Sequence, residues 1–200
     1  MRIEICGGIG AGKTTVANVL STHLTCPLVS ETYRSTPFWE PFFKNPRRYS
    51  FQKNVGFALS HGEHLHASLD LKHVVSDFAL FQDLAYAEIS QDQEEFQVVS
   101  AIYGRMVRLV GEPSILVRVS CHLDHQLARI KQRDRIAERG ADERFITDLN
   151  FCVEQKARAL ARHAAVPYFE LDTTEWAASD LHSEWSSRMA PIIASFREMS

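Results

Sequence analysis

Gly7-Gly8-Ile9-Gly10-Ala11-Gly12-Lys13-Thr14-Thr15 decides the architecture. The stretch satisfies G-x-x-x-x-G-K-[ST], follows a strand-like run from Arg2 to Cys6, and opens a helical pattern from Lys13 to Leu24. Val16, Val19, Leu20 and Leu24 share one face of that helix. The glycines let the backbone turn tightly with its N–H groups inward, and those donors plus the helix N-terminus make a nest for anions. Lys13 is placed to contact the β- and γ-phosphates of a nucleoside triphosphate, and the Thr14 hydroxyl to hold Mg²⁺. A dinucleotide-binding fingerprint starting at Gly8 fails, because its third glycine would fall on Lys13. The expected cofactors are therefore ATP and Mg²⁺.

Outward from this turn, short apolar runs alternate with longer helical ones. Strands are expected at Leu28-Val29, His73 to Ser76, Ile115 to Val119 and Tyr168 to Leu171. Helices are expected from Ala79 to about Ser90, Glu94 to Val110, Leu123 to Ile136, Arg144 to His163 and Asp180 to Met199. Pro37 to about His66 reads as mostly helical, broken at Pro41 and Pro46. Such alternation requires crossover connections, hence an α/β fold with a parallel sheet sandwiched between helices. The chain of 200 residues suits a single domain, with no linker or repeat to divide it.

Composition narrows the function. Apolar residues make up 45% and charged residues 24%, with a formal charge of −3, so the field of the molecule does not attract nucleic acid. No apolar run approaches the ~20 residues that cross a bilayer. Cys6, Cys26, Cys121 and Cys152 are scattered, without a C-x-x-C pair, and Met1-Arg2-Ile3-Glu4 does not read as a signal peptide. A cytoplasmic protein with reduced thiols is expected.

Two further groups bear on chemistry. Asp77 ends a strand, as the second Mg²⁺ partner of such nucleotide sites does, and Glu31 ends another, where a carboxylate can take a proton from an acceptor hydroxyl. Arg129, Arg133 and Arg135, with Lys131, concentrate positive charge that could clamp phosphoryl oxygens or simply form a solvated face. Eight of the twenty aromatic residues lie between Tyr33 and Phe57, enough to build core or a slot for a flat ring. His61, His64 and His66 sit close in sequence, but His66 points away from the other two on a helix, so hydrogen-bonded or solvated histidines are expected there rather than a metal cluster.

These segments together resemble the deoxynucleoside kinase family, from Ile3 to about Leu149. Glu31 followed by Thr36-Pro37-Phe38, then Phe42-Phe43-Lys44-Asn45-Pro46, Asp77-Phe78-Ala79 with Asp83, and Arg129, Arg133, Arg135 with Glu138 fall at the family's spacings. The resemblance implies a P-loop kinase fold with five parallel strands flanked by helices, a short arginine-rich lid at about 129–143, and a homodimer as the usual assembly. It implies Glu31 as general base toward a nucleoside 5′-hydroxyl, Asp77 organising Mg²⁺, and Arg129, Arg133 and Arg135 as lid arginines over the phosphates. Glu138 falls where the family contacts the sugar 3′-hydroxyl, and Asn54, His61 and Asp83 where it reads the base, usually with Gln, Arg and Asp.

The acceptor half departs from that pattern. Phe43 stands in place of the Tyr that shares the 3′-hydroxyl contact, and Phe78 in place of the Arg of a D-R-S motif. A lost hydrogen bond to a charged group costs about 1.5–3 kcal/mol, so each change is worth roughly tenfold to a hundredfold on an ordinary deoxynucleoside. The expected activity is ATP- and Mg²⁺-dependent phosphorylation of a deoxynucleoside-like 5′-hydroxyl, with purines slightly preferred. A kinase of another small metabolite or of a nucleoside monophosphate, and a non-catalytic ATP-binding regulatory module, are the competing readings.

Overall fold

A computed structural model describes residues 1–32, 36–133, 142–176 and 184–200, and for Phe43 and residues 184–186 the backbone only. The strands are β1 (Arg2–Cys6), β2 (Leu28–Val29), β3 (Val74–Ser76), β4 (Ile115–Ser120) and β5 (Tyr168–Asp172). The helices are α1 (Lys13–Leu24), α2 (Trp39–Lys44), α3 (Pro46–His66), α4 (Gln82–Ser90), α5 (Gln93–Val110), α6 (Leu123–Arg133), α7 (Glu143–His163) and α8 (Glu184–Met199). The five strands form one parallel sheet in the order β2-β3-β1-β4-β5. The chain leaves β1 toward β3 and β2, then crosses back to β4, so the turn after β1 sits where the winding reverses. Ligands of open parallel sheets collect at that place.

The helix boundaries follow from local chemistry. Asn45 caps α3 by accepting from the Arg48 N–H at 3.2 Å, and Pro46, whose missing N–H is no loss there, begins the helix. Asp92 and Asp142 cap α5 and α7 by accepting from Glu95 and Phe145 N–H groups at 2.9 and 2.8 Å. Pro41, expected as a break, instead lies in the first turn of α2, where no intrahelical donor is needed. Residues 79–81 form turns before α4 rather than its first turn, so that helix starts at Gln82.

Two apolar layers enclose the sheet. Ile3 and Ile5 of β1 pack with Val16, Leu20, Met189, Ile192 and Phe196 on the α1 and α8 side. Cys6 packs with Leu116, Leu149, Val153 and Ala157 on the α7 side. Full burial of each large aliphatic side chain here is worth about 1.5–3 kcal/mol. On this second side β1 also carries a buried ion pair, Arg2 Nε to Glu4 Oε1 at 2.7 Å. Arg2 donates to Val110 and Gly111 carbonyls at the end of α5, and Glu4 accepts from Leu80 N–H, so both charges are satisfied. Among the described residues, no helix is long and apolar enough to cross a membrane.

Candidate active site

The glycine turn is held from several directions. Gly7 has φ 153°, and a Cβ there would lie 2.3 Å from the Val119 carbonyl oxygen, so only glycine allows β1 to leave the sheet this close to β4. Gly12, at φ 96°, swings the chain into α1 from the left-handed region. Gln126 Nε2 donates to the Ile9 carbonyl at 2.8 Å, and its Oε1 accepts from Asn150 Nδ2 at 2.7 Å. Gln82 accepts from Gly7 N–H at 3.2 Å, and Thr173 donates its hydroxyl to the Ala11 carbonyl at 2.7 Å. A turn clamped in this way keeps its remaining N–H groups preorganised for phosphate oxygens.

Arg129 takes part in that clamp. Its guanidinium donates to the Thr173 hydroxyl at 3.0 Å and carbonyl at 2.7 Å, to the Trp176 carbonyl at 3.2 Å, and to the Gly10 carbonyl at 3.4 Å. Its fork therefore ties the glycine turn to the segment after β5. Arg133, one turn further along α6, is near enough for its charge to help lower the pKa of Lys13. Arg135 and Glu138, the remaining lid expectations, lie outside the described residues.

At the opposite wall, strand ends bring the acids together. The Glu31 N–H donates to Asp77 Oδ1 at 2.7 Å, which locks the end of β2 to the end of β3. The Thr14 hydroxyl lies near enough to the Asp77 carboxyl to favour its charged form, and Lys13 feels the charges of both Glu31 and Asp77. Lys13 is drawn down from its ordinary value chiefly by burial, with Glu31 and Asp77 opposing the shift. Its ammonium donates to Gly7 and Gly8 carbonyls at 2.9 and 3.1 Å, at the mouth of the nest. Asp77 is pushed upward, mainly by burial. Glu31 keeps its side chain 38% exposed, open to a ligand.

At the acceptor wall the structure brings some of the expected residues together and turns one aside. His61 and Asp83 are brought together, His61 Nδ1 lying 2.9 and 3.1 Å from the two Asp83 oxygens. Phe78 stacks on the His61 ring, with centroids 4.2 Å apart and planes 16° from parallel. Asn54, by contrast, donates its amide to Ser90 Oγ at 3.1 Å, so that donor is committed away from the His61–Asp83 pair. The Phe43 side chain is outside the described atoms.

Lys53 was not singled out by the sequence, since one cation in an aromatic stretch reads as a solvated residue. Its ammonium sits 4.5 Å from the Phe42 ring centre, 5.8 Å from Tyr86 and 6.0 Å from Phe57. Burial pushes it down to about 8, against the opposing pull of Asp83 and Glu31. The folded protein thus binds fewer protons at this site than the unfolded chain between about 8 and the ordinary 10.5, so stability rises with pH across that window. Lys53→Met is accordingly expected to raise the melting temperature at about pH 7, with the advantage shrinking toward pH 10. Thermal melts of both proteins across that range check it, and an unchanged or lowered Tm at pH 7 counts against the burial penalty.

A three-layer parallel sheet with a braced phosphate nest, a lysine and two strand-end acids defines the class: a P-loop phosphotransferase fold. The sequence model described as Deoxynucleoside kinase matches residues 3–189 of this chain. The chain belongs to the deoxynucleoside kinase family. It is 27% identical over 166 residues to a deoxyguanosine kinase of Bacillus subtilis (strain 168), covering 78% of this chain and 80% of that one. It is also 27% identical over 157 residues to a deoxyadenosine kinase of Lactobacillus acidophilus, covering 73% of each chain. Among solved structures, deoxyadenosine kinase from M. mycoides with products dCMP and a flexible dCDP bound superimposes with a TM-score of 0.78 at 20% identity, over 99% of this chain and 100% of that one. The dATP-bound form of that enzyme gives 0.75 at 21% identity over 98% and 100%.

Proposed function

We propose that the chain transfers the γ-phosphate of ATP to the 5′-hydroxyl of a deoxynucleoside, with purine deoxynucleosides favoured. One observation carries the reading: Glu31, Asp77, Thr14 and Lys13 converge at the carboxyl edge of the sheet beside the glycine turn. A module that only binds ATP has no use for a half-exposed carboxylate at that point. The purine preference rests on the similarity to deoxyguanosine and deoxyadenosine kinases.

In this account the triphosphate lies in the nest with Lys13 against its β- and γ-oxygens. The acceptor's 5′-oxygen attacks the γ-phosphorus in line and forms the new P–O bond as the bond to the β–γ bridging oxygen breaks, releasing ADP. Glu31 accepts the proton of the hydroxyl. Arg133 adds positive charge where the transferring phosphoryl group accumulates negative charge. The Thr14 hydroxyl and the Asp77 carboxylate are neighbouring hard oxygen donors, a pair that fits Mg²⁺. When bound there, Mg²⁺ supplies neutralisation of phosphoryl charge.

The unpaired state of Cys6, Cys26, Cys121 and Cys152 supports a reducing, cytoplasmic location. ADP release measured across deoxyadenosine, deoxyguanosine, deoxycytidine, thymidine and the matching monophosphates tests the proposal. Acceptor-dependent release with purine deoxynucleosides leading is expected. Release with monophosphates alone, or none above the rate without acceptor, overturns it.

A further inference from the structure

His61 is 4% exposed, in the C-terminal third of α3 and beneath the acceptor wall. Its ring is fixed on three sides. Nδ1 is directed at the Asp83 carboxylate of α4, Phe78 covers one face at 4.2 Å, and Phe57 leans on the ring at 5.6 Å. With these contacts set, Nε2 has one direction left. It points to Glu31 Oε1 at 3.4 Å, within ion-pair range but off hydrogen-bond alignment. A side chain so rigid, spanning two carboxylates from two different elements, does more than fill core.

We propose that His61 is the positioning residue of Glu31: anchored through Nδ1 by Asp83, it presents Nε2–H to the Glu31 carboxylate and holds that carboxylate in the orientation that receives the acceptor's proton. The inference rests on the reading of Glu31 as general base. Its physical content is preorganisation: the His61 contact narrows the orientations open to a carboxylate that is more than a third exposed. The charged groups facing this set are Asp83 from α4, Lys53 and His64 from α3, and Asp77 and Lys13 beyond Glu31. Burial alone would lower His61, yet Asp83 and Glu31 outweigh it and push the ring up to about 10, so both nitrogens carry protons at neutral pH. Phe78, stacked on that cation, stabilises it by a cation–π contact and shields it from water.

The two ring nitrogens can be tested separately, because an Asn amide stands in for Nδ1 and a Gln amide for Nε2. His61→Asn keeps the bond to Asp83 and loses the donor toward Glu31. His61→Gln keeps the donor toward Glu31. With deoxyguanosine or deoxyadenosine as acceptor, His61→Asn is expected to lower kcat by about 10–100-fold with KM for ATP little changed, the loss that follows when the Nε2–H contact tightens to a hydrogen bond on Glu31 in the reacting complex. His61→Gln is expected to retain most of kcat. The reverse order, Gln the poorer of the two, would show that His61 serves Asp83 alone and overturns the proposal.

Adding His61→Asn to Glu31→Gln is expected to cause little further loss, since the effect runs through Glu31. Full additivity counts against it. Glu31→Gln measured alone separates the two levels: its retention of activity defeats the reading of Glu31, whereas its loss beside an undiminished His61→Asn defeats only this inference. Nitrogen NMR of the His61 ring in folded protein supplies a readout independent of turnover. Glu31→Gln should shift the Nε2 resonance and leave Nδ1 nearly unmoved, and an unmoved Nε2 contradicts the contact.

Discussion

Glu31→Gln is expected to lower kcat by about 10²–10⁴-fold, the range typical of a lost general base, while ATP binding stays close to that of the wild type. The substitution is nearly isosteric and keeps the backbone N–H that donates to Asp77 Oδ1, so the junction of β2 and β3 survives. On the proposed mechanism, what is lost is the acceptor of the attacking hydroxyl's proton. In the proposed binding mode ATP is held by the glycine turn and Lys13, whose own hydrogen bonds the substitution does not touch. Steady-state kinetics with a purine deoxynucleoside, alongside direct measurement of ATP affinity, check both halves of the expectation. A kcat within a few-fold of wild type would mean that the proton leaves by another route.

Arg129→Ala is expected to act on the whole fold. The side chain makes four hydrogen bonds to the Gly10 carbonyl, the Thr173 hydroxyl and carbonyl, and the Trp176 carbonyl, and truncation leaves these acceptors beside a cavity. Losing hydrogen bonds to a charged group costs about 1.5–3 kcal/mol, and unsatisfied buried partners add to that. For a chain of this size the melting temperature should fall by on the order of 10 °C. ATP affinity should weaken too, because Thr173 also holds the Ala11 carbonyl of the glycine turn. A residue acting only as a lid over phosphates would leave the melting temperature of the unliganded protein untouched, and that outcome would return Arg129 to the lid. Calorimetry without nucleotide separates the two.

The contrast between these residues marks what the sequence could carry. The sheet and its helices were legible because periodicity is local: Ile3 and Ile5 alternate with Glu4, and Val16 and Leu20 recur at helical spacing. The phosphate nest was legible for a similar reason, its residues being consecutive. Pro41 misled because a proline's effect depends on its place in the helix, and in the first turn its missing N–H is harmless. For Arg129 the carbonyl partners were hidden, because a basic run looks the same whether it faces water, phosphate or carbonyls. Its partners Gly10 and Thr173 are 119 and 44 residues away, and no spacing encodes them.

At the acceptor wall, the resemblance placed His61 with Asp83, and the structure does join them. The approach of His61 Nε2 to Glu31 had no signal in the chain, since it depends on Phe78 and Phe57 fixing the ring. Gln126, Asn150 and Gln82 likewise escape sequence reasoning, as polar residues on helix faces that become braces only once the sheet is assembled. Lys53 stands in an aromatic cage for the same reason.

The account turns on a single hydroxyl lying between the Glu31 carboxylate and the γ-phosphate. Incubating the protein with ATP, Mg²⁺ and deoxyguanosine or deoxyadenosine, and correlating phosphorus with proton resonances of the product, tests this most directly. The prediction is a new phosphomonoester coupled to the C5′ methylene protons, formed one for one with ADP. Orthophosphate alone, or phosphorus coupled to the C3′ proton, would contradict it.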